Sequence, residues 1–275
     1  MTTPLFELQK ITYAYPCRKP VLDELDFCFE QGANIGLIGP NGSGKTTLAH
    51  IVMGLINPNS GTILHRGHPI SDEKGFATLR KEVGLLFQNA DDQLFYPTVL
   101  EDVAFGPLNL GKSPAEAAEI AHTTLRHLGL EGFEERITYK LSGGEKKLVS
   151  LATVLAMEPK AVFLDEPTNA LDVDTRHRLI HILNELALPR IIISHDYDFL
   201  AQTTKDIYAM KDGKIRFDGH TATHEHVHAH THDHQNGHNH AQAHSHESGH
   251  SHGHAHTHSH RHEHLHGDVP HTHGD

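Results

Sequence analysis

The chain has 275 residues, a net charge of −12 with histidine counted as neutral, and a composition that changes abruptly after Gly219. Residues 1–219 carry 22 basic and 29 acidic side chains, whereas residues 220–275 hold 22 of the 30 histidines. This acidic body argues against sequence-independent binding along nucleic acid, which requires clustered lysine and arginine. No run of about 18 apolar residues and no N-terminal secretory signal occur, so we expect no segment that crosses a membrane.

The predicted elements begin with two β-rich segments, "LFELQKITYAY" (5–15) and "LDFCFE" (25–30). The apolar run "NIGLIG" (34–39) then stops at a glycine loop, and "KTTLAHIVMGL" (45–55) follows with helical spacing. At the other end of the body, "IYAMKDGKIRFDG" (207–219) predicts a hairpin that turns at an Asp-Gly pair.

Three further apolar runs, at 82–88, 161–166 and 190–195, each end in a polar residue. Runs of this kind are typical of parallel strands that are buried on both faces. Their alternation with helical segments predicts a parallel sheet covered by helices. Ligands bind beyond the carboxyl ends of such strands, so the polar residues there are expected to converge on one site. These residues are Gln88, Asp165, Glu166 and His195.

A helical insert separates the first and second of these three runs. Ser113 provides an N-cap, Pro114 the first helical position and Glu116 a capping box. Apolar residues then recur as far as Leu128, and Gly129 supplies a C-terminal stop. The two cysteines, Cys17 and Cys28, lack metal or redox spacing. We expect both to be buried as small apolar residues in a reduced, cytosolic compartment.

"GPNGSGKT" (39–46) matches the phosphate-binding loop G-x-x-x-x-G-K-[ST], in the required strand–loop–helix context. Its glycines let successive backbone amides face the phosphates of a nucleotide, Lys45 reaches the β- and γ-phosphates, and Thr46 offers a hydroxyl to Mg²⁺. The predicted nucleotide-binding residues of this segment are Gly39, Pro40, Asn41, Gly42, Ser43, Gly44, Lys45, Thr46 and Thr47.

Asp165 and Glu166 end a predicted buried strand. An aspartate at this position can hold Mg²⁺ through its water shell, and the neighbouring glutamate can orient or deprotonate an attacking water. The pair therefore predicts hydrolysis of the nucleotide.

A second anion-binding segment, "LSGGE" (141–145), opens the helix "EKKLVSLATVLAM" (145–157). Its two glycines expose backbone amides at a helix N-terminus. With the motifs above, this segment resembles the signature of the ATP-binding-cassette (ABC) ATPases, and the resemblance covers essentially all of residues 5–219. In that family two subunits bind two ATP molecules between them, head to tail.

The resemblance implies an α/β fold of the P-loop NTPase (RecA-like) class in residues 1–219, with an N-terminal antiparallel β subdomain and a helical subdomain at about 89–157. It implies that Ser142, Gly143 and Gly144 contact the γ-phosphate of the ATP bound by the partner subunit. It also implies that Tyr15 stacks on adenine and that Gln88 contacts Mg²⁺ and the attacking water. Asp172 is then expected at the dimer interface, and His195 is expected to contact the γ-phosphate.

The stretch "NADDQLFYPTVLEDVAFGPLNLG" (89–111) is similar to the ATPases of energy-coupling-factor importers, in which this region docks a helix of a membrane subunit. Ala90 stands where those ATPases usually have proline, and Leu148 where an arginine is common. The resemblance implies a cassette dimer, expected to be a homodimer, that binds a transmembrane coupling subunit and a metal-specific membrane subunit. The protein is then expected to be peripheral, on the cytoplasmic face of the inner membrane.

Histidine recurs at nearly every second position from His220 to His273. This segment has almost no large apolar side chains, so we expect it to be disordered. Neutral imidazole suits Ni²⁺, Co²⁺, Cu²⁺ and Zn²⁺. The resemblance implies a cargo that is either a vitamin or one of the ions Co²⁺ and Ni²⁺, and of these two ions the Irving–Williams order favours Ni²⁺. Resemblance and tail together predict the ATPase of a nickel or cobalt importer with a metal-binding tail. Two alternatives stay open, namely a vitamin importer with an incidental tail and a metal store or chaperone in which the cassette serves regulation.

Overall fold

The computed structural model describes residues 3–186 and 188–221. The described residues form ten strands, seven α-helices and two short 3₁₀ helices. The strands are β1 (Phe6–Tyr13), β2 (Leu22–Phe29), β3 (Asn34–Ile38), β4 (Ser60–His65), β5 (His68–Ile70), β6 (Val83–Leu86), β7 (Ala161–Asp165), β8 (Arg190–Ile193), β9 (Asp206–Lys211) and β10 (Lys214–His220). The helices are α1 (Lys45–Val52), α2 (Glu73–Glu82), α3 (Val99–Asn109), α4 (Pro114–His127), α5 (Gly143–Leu155), α6 (Val173–Glu185) and α7 (Tyr197–Thr203).

The central sheet has six strands in the order β10-β9-β3-β8-β7-β6. Pairing is parallel from β9 to β6, and β10 is antiparallel to β9. The strands predicted at 34–39, 82–88, 161–166 and 190–195 are therefore confirmed. The closing hairpin is also confirmed, because Asp212 and Gly213 both adopt positive φ, as a tight two-residue turn requires.

Each face of this sheet is covered by a separate apolar core. Because side chains alternate along a strand, Val162 and Leu164 of β7 pack into the core that includes α3 to α7, whereas Ala161 and Phe163 pack into the other. The second core lies against α1, α2 and a four-stranded antiparallel sheet in the order β2-β1-β4-β5. The predicted antiparallel β segments near the N-terminus are thus present.

Helices α3, α4 and α5 lie between β6 and β7 in the chain, and each begins with a capping box. Ser113 and Glu116 form the one predicted for α4, whose last residue is His127. Gly129 follows with a φ of +59°, in the left-handed region expected of a helix stop. Leu148, which stands in place of the common arginine, is buried in the helical core.

The two cysteines are free and exposed, so the prediction that they are buried is wrong. Cys28 lies on β2 between Phe27 and Phe29, which are both buried. Alternation along the strand turns the intervening thiol outward. Cys17 lies in the turn after β1, with a φ of +59°.

The predicted histidine-rich tail lies outside the described residues, apart from His220 and Thr221. β10 extends to His220, one residue beyond the predicted domain boundary. Thr221 is held to the body because its amide donates to the Lys205 carbonyl and its hydroxyl to the Thr204 carbonyl, at 2.9 Å each. The predicted disorder and metal binding of residues 222–275 stay predictions.

Candidate nucleotide-binding site

The loop between β3 and α1 has a backbone that only glycine accommodates at two positions. Gly39 has a φ of +149°, and a Cβ atom there would lie 2.4 Å from the Met210 carbonyl oxygen. Gly44 has a φ of +105°, and its Cβ would lie 2.9 Å from the Leu22 side chain. The loop curls tightly for this reason, and α1 begins directly after it, so its first amides point toward the loop.

Lys45 bridges the two ends of this loop. Its ammonium donates to the carbonyl oxygens of Gly39, at 2.8 Å, and Pro40, at 3.2 Å. The side chain is buried, so a cation is held inside the curl of the backbone. Its amine and the loop amides together form a concave donor surface of the kind that binds phosphate.

Asp165 and Thr46 meet at the base of the loop. Asp165 is 2% exposed, and its Oδ1 has no hydrogen-bond partner among the described residues. Burial raises the pKa of Asp165, and a hydrogen bond with Thr46 opposes that rise. A buried carboxylate with an unpartnered oxygen beside a hydroxyl matches the hard oxygen ligands that Mg²⁺ prefers. The residues present therefore fit the metal that the motif predicts.

Glu166 follows β7 with a φ of +45°, although it has a side chain. Its amide donates to the Ile193 carbonyl at 2.9 Å, which fixes it beside the end of β8. Its Oε2 lies 3.0 Å from Nδ1 of His195, whose side chain is largely exposed. The structure thus brings together the two residues that the sequence places at the ends of neighbouring strands.

A cleft of about 440 Å³ lies over these groups. It is lined by predicted residues from separate parts of the chain, including Tyr15, Lys45, Gln88 and Asp165. Tyr15 stands at its rim, with its hydroxyl 3.0 Å from that of Thr47 and its ring edge-on to Tyr13. The complete lining is Tyr15, Arg18, Lys19, Val21, Asn41, Gly42, Gly44, Lys45, Thr46, Thr47, Gln88, Asp165, Glu166 and Ile193.

Three cations at or near this cleft were not predicted from the sequence. Arg18 and Lys19 line it, and their position shortly after Tyr15 was the available signal. Lys147 is buried, and its ammonium donates to the carbonyls of Phe87 and Gln88. Burial lowers the pKa of Lys147, while the nearby charges of Asp165 and Glu166 oppose that effect.

The signature residues do not line the cleft of their own chain. Ser142 caps α5, and its hydroxyl accepts from the Glu145 amide. A Cβ atom at Gly143 would lie 3.8 Å from the Ala170 side chain, and one at Gly144 would lie 3.5 Å from the Thr175 side chain. Asp172 caps α6, and the hydrogen bond from the Thr175 backbone amide is the main cause that lowers the pKa of Asp172. The second predicted anion site therefore lies outside the cleft that contains the first.

Comparison with known proteins agrees with this arrangement. The family model described as "ABC transporter" matches residues 22–169. A Nitratidesulfovibrio vulgaris protein whose name places it among ABC transporter ATP-binding proteins is 57% identical over 219 residues, which are 79% of this chain and 80% of that protein. The energy-coupling factor transporter ATP-binding protein EcfA of Methanocaldococcus jannaschii is 42% identical, over 78% of each chain.

Two solved structures are similar throughout the cassette. One is cbiO1 from Clostridium perfringens, described as part of the ABC transporter complex cbiONQ, with a TM-score of 0.70 and 32% identity over 80% of this chain and 89% of that one. The other is the cassette MJ0796, a dimer bound to ADP and Pi, with a TM-score of 0.71 and 26% identity over 78% and 98%. In the part of the chain that the structure describes, no helix is both long and apolar enough to span a membrane. The loop, the carboxylate pair and these matches show that the chain is an ATPase of the ABC transporter family, with energy-coupling-factor ATP-binding proteins among its relatives.

Proposed function

We propose that this chain is the ATP-hydrolysing subunit of an energy-coupling-factor importer for a divalent transition metal, nickel or cobalt. The observation that carries the choice of cargo is the set of 22 histidines spaced through residues 220–275. They follow a cassette that has its own nucleotide cleft. Imidazole is a ligand for Ni²⁺ and Co²⁺ rather than for Mg²⁺, and the Irving–Williams order favours Ni²⁺.

Within the cleft, the amides of residues 39–47 and the Lys45 ammonium would hold the β- and γ-phosphates. Thr46, Gln88 and Asp165 would hold Mg²⁺, which supplies charge neutralisation for the developing transition state when bound. Glu166 would accept a proton from the attacking water, and its 3.0 Å contact with His195 keeps the carboxylate in position.

Tyr15 would stack on adenine. The residue is 38% exposed and lines the cleft, and its hydroxyl contact with Thr47 holds the aromatic side chain next to the phosphate loop.

A second copy of the chain would complete each site. The amides of Gly143 and Gly144 open a helix N-terminus, which favours a negative charge, but they lie away from the cleft of the same chain. Two copies arranged head to tail would present Ser142 and these glycines to the γ-phosphate on the partner, with Asp172 near the interface.

An apolar groove of about 520 Å³ would receive a helix of the membrane subunit. Phe95, which is 72% exposed, and Phe105 line it, as does Phe87. Phe87 directly precedes Gln88, so a helix seated in the groove would touch the segment that reaches the nucleotide cleft. Exposed aromatic side chains gathered in one groove are typical of an interaction site.

The cargo is tested by uptake of labelled Ni²⁺ and Co²⁺ into cells that express the complete transport system. We expect uptake with the wild-type chain and none with Lys45→Ala, which removes the cation of the phosphate loop. Uptake of neither ion, together with a growth defect relieved by a vitamin, would contradict the proposed cargo and support the vitamin importer.

A further inference from the structure

The segment from Phe87 to Gln93 is attached to α5 by one side chain of the helix and one side chain of the segment itself. Lys147 of α5 donates from its ammonium to the Gln88 carbonyl at 2.6 Å and to the Phe87 carbonyl at 3.2 Å. Lys147 is 3% exposed, so these bonds form in an interior where a charged donor is costly to bury without partners.

Gln93 makes the complementary attachment from the segment itself. Its Oε1 accepts from the Phe87 amide at 3.1 Å. Its side-chain amide donates to the Ser150 carbonyl and to the Thr153 hydroxyl, both at 2.8 Å and both on α5. Phe87 is therefore bound through its carbonyl by Lys147 and through its amide by Gln93, and both bonds lead to the same helix.

We infer that Lys147 and Gln93 are positioning residues that clamp the Gln88 segment to the helix that opens with Ser142, so that Gln88 and the signature keep one relative geometry. Neither side chain touches phosphate in the proposed arrangement, because Lys147 does not line the nucleotide cleft and Gln93 lines the docking groove. The clamp acts through the backbone of Gln88, whose side chain reaches the cleft.

The clamp has a further consequence for the groove. Phe87 and Gln93 both line it, while Gln88 lines the nucleotide cleft. A change in the groove would then move Gln88 and α5 together rather than Gln88 alone. The effect on turnover rests on the proposed role of Gln88.

The test compares the full-length chain with Lys147→Met, which keeps the length of the side chain but leaves two carbonyls without their donor. Displacing a reacting group by about an ångström can cost on the order of 100-fold in rate. We expect kcat for ATP hydrolysis to fall by about 10- to 100-fold, with KM for ATP within about twofold of wild type, since the phosphate loop is intact. Lys147→Arg, which keeps charged donors, should recover part of kcat.

Hydrogen–deuterium exchange measures directly how firmly the backbone of this segment is held. We expect the peptide covering residues 87–93 to exchange faster in Lys147→Met, while the peptide covering α1 is unchanged. Lys214→Met is the matched control, because it removes an exposed lysine on β10 and should alter neither measurement. Unchanged exchange at 87–93, or a wild-type kcat in Lys147→Met while Gln88→Ala is impaired, would overturn the inference.

Gln93→Leu keeps the inference testable if Lys147→Met does not fold. It breaks the clamp from the other side without disturbing a buried charge, and it should give the same loss of kcat and the same faster exchange. Where both variants fold, the activation free energy of the double variant should rise by less than the sum of the two single increases, because both substitutions act on one segment. Additive losses would contradict a shared clamp.

Gln88→Ala separates this inference from the proposed function. Wild-type turnover in Gln88→Ala would remove the proposed role of Gln88, and the exchange rate at residues 87–93 would still decide whether Lys147 and Gln93 clamp the segment.

Discussion

Glu166 illustrates how much of the site depends on the backbone of one residue. A φ of +45° costs a residue with a side chain about 1–2 kcal/mol. The hydrogen bond from the Glu166 amide to the Ile193 carbonyl holds the backbone in this conformation. This geometry points the carboxylate at His195. The sequence predicted both residues because they end apolar runs. It did not predict Lys147, because "GEKK" gives no indication of which lysine turns inward.

Glu166→Gln should bind ATP but hydrolyse it at least about 100-fold more slowly, because the amide cannot accept a proton. The backbone and its hydrogen bond to Ile193 are retained, so the fold should not change. Single-turnover hydrolysis measures the rate, and size-exclusion chromatography with ATP should show a trapped dimer. Lys45→Ala, which should lose nucleotide binding, is the contrasting control. Turnover at the wild-type rate would exclude Glu166 as the base.

At the scale of elements, the buried strands of the parallel sheet were predicted better than the helices and the short edge strands. The runs that became β3, β6, β7 and β8 are continuous and apolar, which is enough to identify a buried strand. The hairpin of β4 and β5 was missed, although Arg66 and Gly67 supply its turn with positive φ at both positions. β5 has three residues, none of them fully buried, so it carries almost no pattern.

Glu82 joins three elements and gives a prediction that depends on pH. Burial alone would raise the pKa of Glu82, but hydrogen bonds from Arg66, Lys160 and His65 outweigh it and lower the pKa to about 2. Because the folded pKa lies below the unfolded value, the stabilisation is complete above the unfolded pKa and is lost as the pH falls toward 2.

We expect Glu82→Gln to lower the free energy of unfolding by about 1 kcal/mol at pH 7. The difference from wild type should shrink between pH 5 and pH 2, as urea titrations at each pH would show. Glu73→Gln, at the exposed start of the same helix, should change stability by less than about 0.5 kcal/mol. A difference that stays constant down to pH 2 would mean that Glu82 is not held ionised by this cluster.

For the whole molecule, only one of the two anion-binding segments lines the nucleotide cleft of its own chain. The phosphate loop faces the cleft, whereas Ser142 and the signature glycines lie outside it. Sequence motifs identified both segments but could not show that the signature lies outside the cleft of its own chain. A single copy therefore lacks the second half of the site that we propose.

Mixing Ser142→Arg and Lys45→Ala subunits tests this composite arrangement. In a mixed dimer, one site would combine the intact loop of the first variant with the intact signature of the second. We expect the mixture to recover hydrolysis that neither variant shows alone, as a phosphate-release assay would measure. Unmixed wild-type and single-variant samples at equal concentration serve as controls. Complete inactivity of a mixture in which mixed dimers are demonstrated would contradict independent composite sites.

Removing residues 222–275 tests the histidine segment while leaving the Thr221 contacts intact. We expect ATP hydrolysis to persist, Ni²⁺ binding by the purified chain to fall sharply, and uptake to decline only when the external metal is scarce. Replacing the histidines of this segment by asparagine at unchanged length is the matched control for the loss of chain. Complete loss of uptake with intact hydrolysis would favour the storage or chaperone alternative.

The position of Thr221 also fixes where any added polypeptide starts. Asp206, which pairs with His220, lies opposite Ile35 near the beginning of β3, whereas the phosphate loop follows the end of that strand. A polypeptide fused after Thr221 would therefore begin at the end of the sheet opposite to the phosphate loop. A fluorescent protein or an affinity handle fused at this point would start clear of the catalytic mouth, which makes it the natural attachment point for following the chain in living cells.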